Sequence, residues 1–166
     1  MIDTPEIEIL KEGERLFRGH LDEDQLKAIL RFSRYGPPPA LAVDAVVLRG
    51  DEVLLIRRRN PPFQGMHALP GGFVRYGEKV EDAVLREVLE ETGIEGRIVA
   101  LTGVYSDPAR DPRGHTVSVA FLVEHLSGEP SGGDDAVEAK FHPLDDLPEM
   151  AFDHAVILRD ALRFRR

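Results

Sequence analysis

The segment GFVRYGEKVEDAVLREVLEETGI, residues 72–94, joins a turn, an amphipathic run and a helix stop. Its apolar residues recur at helical spacing, which predicts a helix over 79–92 ending at Gly93, where a left-handed cap suits glycine. At about 100° of rotation per residue, Glu87, Glu90 and Glu91 share one arc, because they stand at i, i+3 and i+4. Val84, Leu85, Val88 and Leu89 gather on the other side and are expected to face a core. Focused carboxylates repel: Glu87 and Glu91, four residues apart, destabilise an isolated helix by about 0.2–0.5 kcal/mol. Arg86 reaches Glu90 at i+4, yet a lone cation does not balance this cluster. A hard divalent ion bound through oxygen does, and Mg²⁺ readily takes carboxylates together with substrate phosphates.

Outward from this segment the pattern changes period. Leu41–Leu48 and Val53–Arg58 read as strands around the turn Arg49-Gly50-Asp51-Glu52. Asn60-Pro61-Pro62 breaks the pattern, and Leu69-Pro70-Gly71-Gly72 makes a second sharp turn. Ile98–Tyr105 and Val117–Glu124 are the next strands, separated by the loop Ser106–His115 with Pro108 and Pro112. A Ser/Gly/Asp-rich loop, Ser127–Asp135, leads to a short strand near Ala139–Phe141 and a final helix over His154–Phe164. Upstream, Thr4-Pro5 reads as a helix start with Ile7, Leu10, Leu16 and Phe17 along it, and Asp22 as the cap of a second helix. Tyr35-Gly36-Pro37-Pro38-Pro39 stops that helix, so a helical extension over 1–36 and a main domain over 37–166 are expected. Strands interleaved with a few helices argue an α/β or α+β sandwich.

Composition narrows the function. The chain has 166 residues, 42% of them apolar, enough for one substantial core. No apolar run approaches the roughly 20 residues of a bilayer-spanning helix, so no membrane partner is expected. The N-terminal residues show neither a basic start nor an apolar h-region, which makes the cytoplasm the expected compartment. There is no cysteine, hence no disulfide, thiol nucleophile or Cys-based zinc site. Thirty acidic residues against 21 basic ones give a net charge of −9, which disfavours a nucleic-acid partner.

Read in full, Gly72, Glu78, Arg86, Glu87, Val88, Glu90, Glu91, Gly93 and Ile94 fill the pattern G-x5-E-x7-R-E-U-x-E-E-x-G-U, with U aliphatic. This resembles the Nudix box. The similarity runs over residues 41–160, through Leu69-Pro70-Gly71-Gly72, Tyr105-Ser106-Asp107-Pro108 and Phe152-Asp153-His154. The resemblance implies an α/β/α sandwich around a mixed β-sheet, and hydrolysis of a diphosphate linked to another moiety with Mg²⁺ or Mn²⁺. It makes Glu87, Glu90 and Glu91 metal ligands, adds Gly72 through its carbonyl and Glu78, and gives Arg86 the task of orienting the glutamates. The general base is implied to be Glu91 inside the box, or Asp135 or Glu138 outside it. Pro108, fifteen residues after Gly93, is similar to the mark of the ADP-ribose pyrophosphatase group, which implies a small nucleotide-sugar substrate and a homodimer.

Substrate contacts are sought beyond the box. Arg57, Arg58 and Arg59 end a strand and are candidates to bind the diphosphate, with at least one pointing away, since strand neighbours alternate. Phe63 and Tyr105 are the candidates to stack on adenine. The alternatives are a Nudix nucleoside-triphosphate pyrophosphatase acting on damaged or non-standard nucleotides and, from another class, an ADP-ribose-sensing regulatory module.

Overall fold

The computed structural model describes residues 6–11, 14–20, 22, 24, 25, 27, 38–133 and 136–165. The chain divides into two compact units, Met1–Pro38 and Pro39–Arg166. In the first, β1 (Glu6–Lys11) pairs antiparallel with β2 (Glu14–His20), with a register shift between Ile9 and Leu10. The expected helix through Ile7 and Phe17 is therefore corrected to strands. Glu6-Ile7-Glu8-Ile9 alternates charged and apolar residues with period two, and β-branched isoleucine favours a strand. Asp22 caps as expected: its Oδ1 accepts the Gln25 N–H at 2.8 Å, while Gln25 Oε1 accepts the Asp22 N–H at 3.0 Å. Leu26, Ile29 and Leu30 lie outside the described residues.

The second unit is a mixed sheet. Its strands are β3 (Ala40–Arg49), β4 (Glu52–Arg58), β5 (His67–Ala68), β6 (Gly71–Phe73), β7 (Glu95–Tyr105), β8 (Thr116–Ser127) and β9 (Ala136–Pro143). Helix α1 (Val80–Thr92) follows β6, and α2 (His154–Ala161) closes the fold with a short 3₁₀ turn, Leu162–Phe164. β3 runs parallel to β8, while the β7–β8 and β4–β9 pairs are antiparallel. Strand alternation builds two cores. Val43, Ala45, Val47, Leu54, Ile56, Phe121 and Val123 pack with α1 residues Ala83, Val84 and Val88. Val46, Val53, Leu55, Ala120 and Leu122 pack with α2 residues Ile157, Leu158 and Ala161. The central strands β3, β4 and β8 are thus buried on both faces, an α/β sandwich. Among the described residues no helix is long and apolar enough to cross a membrane.

One break in the sheet positions the site. β3 and β4 pair only at Leu48–Val53 and Arg49–Glu52, next to their turn. Beyond it they part. β6 takes the freed edge of β3 at Ala42–Asp44, and β5 takes that of β4 at Ile56–Arg57. A cavity opens where the strands diverge.

Candidate active site

Helix α1 turns its carboxylates toward this opening. The buried side of the helix comprises Ala83, Val84, Val88, Glu91 and Thr92, whereas Leu89 is half exposed. The inward stripe is therefore rotated toward the acidic face relative to the sequence expectation. Burial grades accordingly: Glu91 is 6% exposed, and the side chains of Glu87 and Glu90 are 14% and 42% exposed. Gly93 ends the helix at φ 69°, its N–H bonding Leu89 O.

Arg86 is the counter-charge at the centre. Its Nε and Nη2 donate to Glu78 at 2.7 and 2.9 Å, and its Nη1 donates to Glu87 at 2.6 Å and Glu90 at 3.1 Å. Arg75 adds a second cation on Glu90 at 3.2 Å, and its N–H donates to Glu78. The Arg86 hydrogen bonds, then the Arg75 N–H, pull the Glu78 carboxyl down to about 2. The same Glu78 bond, foremost, holds the Arg86 guanidinium above its usual range. Glu91 is oriented differently, with Oε2 accepting the Gly71 N–H at 2.9 Å.

Hard-cation chemistry fits this donor set, which is entirely oxygen. Gly72 must lack a side chain, since a Cβ there meets the Glu87 carboxylate at 2.5 Å, so the backbone and that carboxylate share one crowded corner. Among the described residues no three His, Asp or Glu side chains are already grouped as a ligand set. The reason lies in the ion pairs: Arg86 bridges Glu87 and Glu90, while Gly71 holds Glu91.

The cavity, about 450 Å³, is lined by Gly71, Gly72, Glu87 and Glu91, by Arg58, Arg110 and Arg113, and by Asp44 and Asp111 among the arginines. Arg58 donates from Nε to Pro62 O at 2.8 Å. Arg110 donates to both Asp153 oxygens, at 2.9 and 2.6 Å, and reaches Asp44 Oδ2 at 3.5 Å. Burial opposes its charge, but Asp153 and Asp44 more than compensate and leave its pKa raised. Arg113 forks onto Asp111; burial works to raise that carboxyl, and the Arg113 bonds bring it below its usual value. Phe152 lies between Arg58 and Arg113, at 4.9 and 5.7 Å from their guanidinium carbons, and meets Phe63 edge-on at 4.8 Å. Both phenylalanines have left-handed backbones, φ 58° and 54°, a conformation bulky residues seldom hold outside functional sites.

The remaining candidates fall elsewhere. Arg57 points away from the cavity, its buried Nε lying 3.6 Å from Glu138 Oε2 with no hydrogen bond. Alternation along β4 explains the split, with Arg58 in the cavity wall and Arg57 paired to β9. Glu138 stays with Arg57 and does not line the cavity, and Asp135 lies outside the described residues. Tyr105 is corrected to a contact of α2: its hydroxyl donates to Asp160 at 3.3 Å, and burial, then Asp160, push it up to about 12. Pro108 sits in the turn closed by Arg110 N–H on Asp107 O at 3.0 Å, and the loop meets the cavity through Arg110, Asp111 and Arg113 instead. Sequence reasoning missed Asp44, Arg110, Arg113 and Phe152. Asp44 alone carried a signal, a charge inside the apolar strand Leu41–Leu48.

A protein described as ADP-ribose pyrophosphatase from Methanocaldococcus jannaschii is 51% identical over 127 residues, 76% of this chain and 75% of its own length. The NUDIX domain of Shewanella oneidensis NrtR, solved in complex with ADP ribose, superposes with a TM-score of 0.69 at 28% identity, covering 81% of this chain and 96% of that one. A bifunctional NMN adenylyltransferase/ADP ribose pyrophosphatase from Francisella tularensis, complexed with AMP and a Mn ion, gives 0.69 at 27% identity over 84% of this chain and 47% of its own. The family model described as NUDIX domain matches residues 38–161, which take in the acidic helix, the cavity-lining residues and all of α2. The chain belongs to the Nudix domain family.

Proposed function

We propose that this chain hydrolyses the diphosphate of a nucleoside diphosphate linked to a sugar, cutting ADP-ribose to AMP and ribose 5-phosphate. One observation carries the reading: a single cavity is lined both by Glu87 and Glu91 of α1 and by Arg58, Arg110 and Arg113. Similarity to the Methanocaldococcus protein supports ADP-ribose as the substrate. The family depends on a divalent cation. We assign Mg²⁺, with Mn²⁺ as the alternative, and Glu87, Glu90, Glu91 and the Gly72 carbonyl as the groups that would hold it. When bound, such a cation neutralises diphosphate charge and polarises a phosphoryl oxygen.

The chain's own residues supply the rest. Guanidinium groups match phosphate oxygens, so Arg58, together with Arg110 and Arg113 once they exchange their Asp153 and Asp111 partners, binds and orients the diphosphate. Phe63, exposed beside Phe152 and meeting it edge-on, offers a ring face for the adenine. Of the described general-base candidates, Glu91 lines the cavity and Glu138 does not, so the proton of the attacking water goes to the Glu91 carboxylate. The water oxygen bonds to one phosphorus, the bridging P–O bond breaks, and the bridging oxygen leaves with the other phosphate. Specificity constants across ADP-ribose, NADH, diadenosine polyphosphates and 8-oxo-dGTP with Mg²⁺ test the reading. ADP-ribose is expected to give the highest kcat/KM, and a preference for a nucleoside triphosphate would replace the reading with the triphosphatase.

A further inference from the structure

We propose that His154 is a positioning residue for the carboxylate site, acting across the sheet through the Leu69–Gly72 turn. The inference rests on the reading that the α1 glutamates hold a divalent cation. His154 opens α2 and is 5% exposed. Its Nδ1 accepts the Leu69 N–H at 2.9 Å. A ring nitrogen that accepts a backbone N–H carries no proton, so the proton of the neutral ring sits on Nε2. That nitrogen faces Asp44 Oδ1 at 3.5 Å, and Asp44 in turn is held by Ser118 and by Arg110 of the cavity wall. Burial keeps the imidazole pKa below its usual value, consistent with the neutral ring.

From Leu69 the constraint passes on with little slack. Pro70 fixes its own φ, and Ala45 N–H holds Pro70 O at 2.8 Å. Gly71 is wedged so tightly against β3 that a Cβ there would lie 2.2 Å from Val43 O. Gly71 N–H is the group that orients Glu91, and Gly72 backs onto the Glu87 carboxylate. Leu69 is buried, so loss of the imidazole acceptor leaves its amide unpaired away from water, and such groups are costly enough to make a backbone move. A shift of this turn displaces the donors that set Glu91 and Glu87.

Mn²⁺ alone is the probe, titrated by electron paramagnetic resonance into the full chain and into Glu91→Gln, His154→Asn, His154→Gln and His154→Leu. The Asn amide oxygen takes the place of Nδ1, whereas Gln presents its amide one methylene further out and Leu offers no acceptor. His154→Asn is expected to keep Mn²⁺ affinity, while His154→Gln and His154→Leu weaken it by about tenfold or more, the loss typical of groups that orient metal ligands. Should the Leu variant not fold, the Asn and Gln pair carries the comparison. Equal affinity in all folded His154 variants, or equal weakening in Asn and Gln, overturns the proposal. If the unsubstituted chain binds no Mn²⁺, or Glu91→Gln binds it equally well, the carboxylate reading itself fails and takes this inference with it.

Discussion

Arg86 holds three glutamates at once, and what happens without it is calculable. Its side chain is largely buried against Glu78 and Glu87. Arg86→Met would leave those carboxylates facing each other without a counter-charge, read as a lowered urea midpoint at neutral pH. Glu78 adds a pH dependence of definite sign. Its folded pKa is depressed from 4.5 to about 2, so its contribution is whole above pH 4.5 and fades as the pH falls toward 2. Glu78→Gln should flatten the fall of the urea midpoint across that window. Glu87→Gln or Glu91→Gln should lower kcat by about 10²–10⁴-fold, equivalent to about 3–5 kcal/mol, with the fold retained by circular dichroism. At this scale the sequence was most legible, because the glutamates, Arg86, Gly72 and Gly93 stand at fixed helical spacings. Its blind spot was the rotation of α1 about its own axis. The buried stripe is set by packing against β7, β6, β3 and β9, with Glu91 inside and Leu89 outside.

Helix α1 and the loop Ser106–His115 both supply groups to the cavity, and each depends on local backbone chemistry. Gly93 carries a left-handed φ of 69° with Ser131 Oγ 2.9 Å from a hypothetical Cβ. Gly93→Ala is expected to cost about 1 kcal/mol or more, visible as a lower Tm, because only glycine takes that φ without strain. In the loop, Arg110→Lys keeps the charge and loses the fork. The KM for ADP-ribose should rise by about tenfold, worth about 1.4 kcal/mol, with a smaller change in kcat. Strands and helices of the second unit were legible from period and punctuation, since buried strands with Gly and Pro turns leave few alternatives. The loop arginines were not. Their approach to the cavity depends on pairing with Asp153 and Asp44, distant in sequence and joined only by the fold. The N-terminal segment misled for a different reason: sparse apolar residues satisfied a helical template loosely, while Glu6–Ile9 satisfied a strand template strictly.

Across the whole molecule a net charge of −9 coexists with an arginine-lined cavity. Overall charge therefore does not describe the site, whose charge is local. His154 ties the two faces of the sheet together and gives stability its own acid limb. Burial lowers its pKa from 6.5, so the unfolded chain binds the proton first, and stability is whole above pH 6.5 and declines below it. A Tm series through that pH should show the decline, and His154→Asn, with no proton to gain, should remove this part of it. The central claim is cleavage of the ADP-ribose diphosphate in a cation-dependent site. ³¹P NMR of ADP-ribose with the protein and Mg²⁺ tests it most directly. With the unsubstituted protein the diphosphate resonances should vanish and two phosphomonoester signals, AMP and ribose 5-phosphate, appear in equal amounts, whereas the diphosphate resonances should persist when the cation is chelated or when Glu91→Gln replaces the protein. Persistent diphosphate signals with the unsubstituted protein, under conditions where a nucleoside triphosphate releases pyrophosphate, would contradict it.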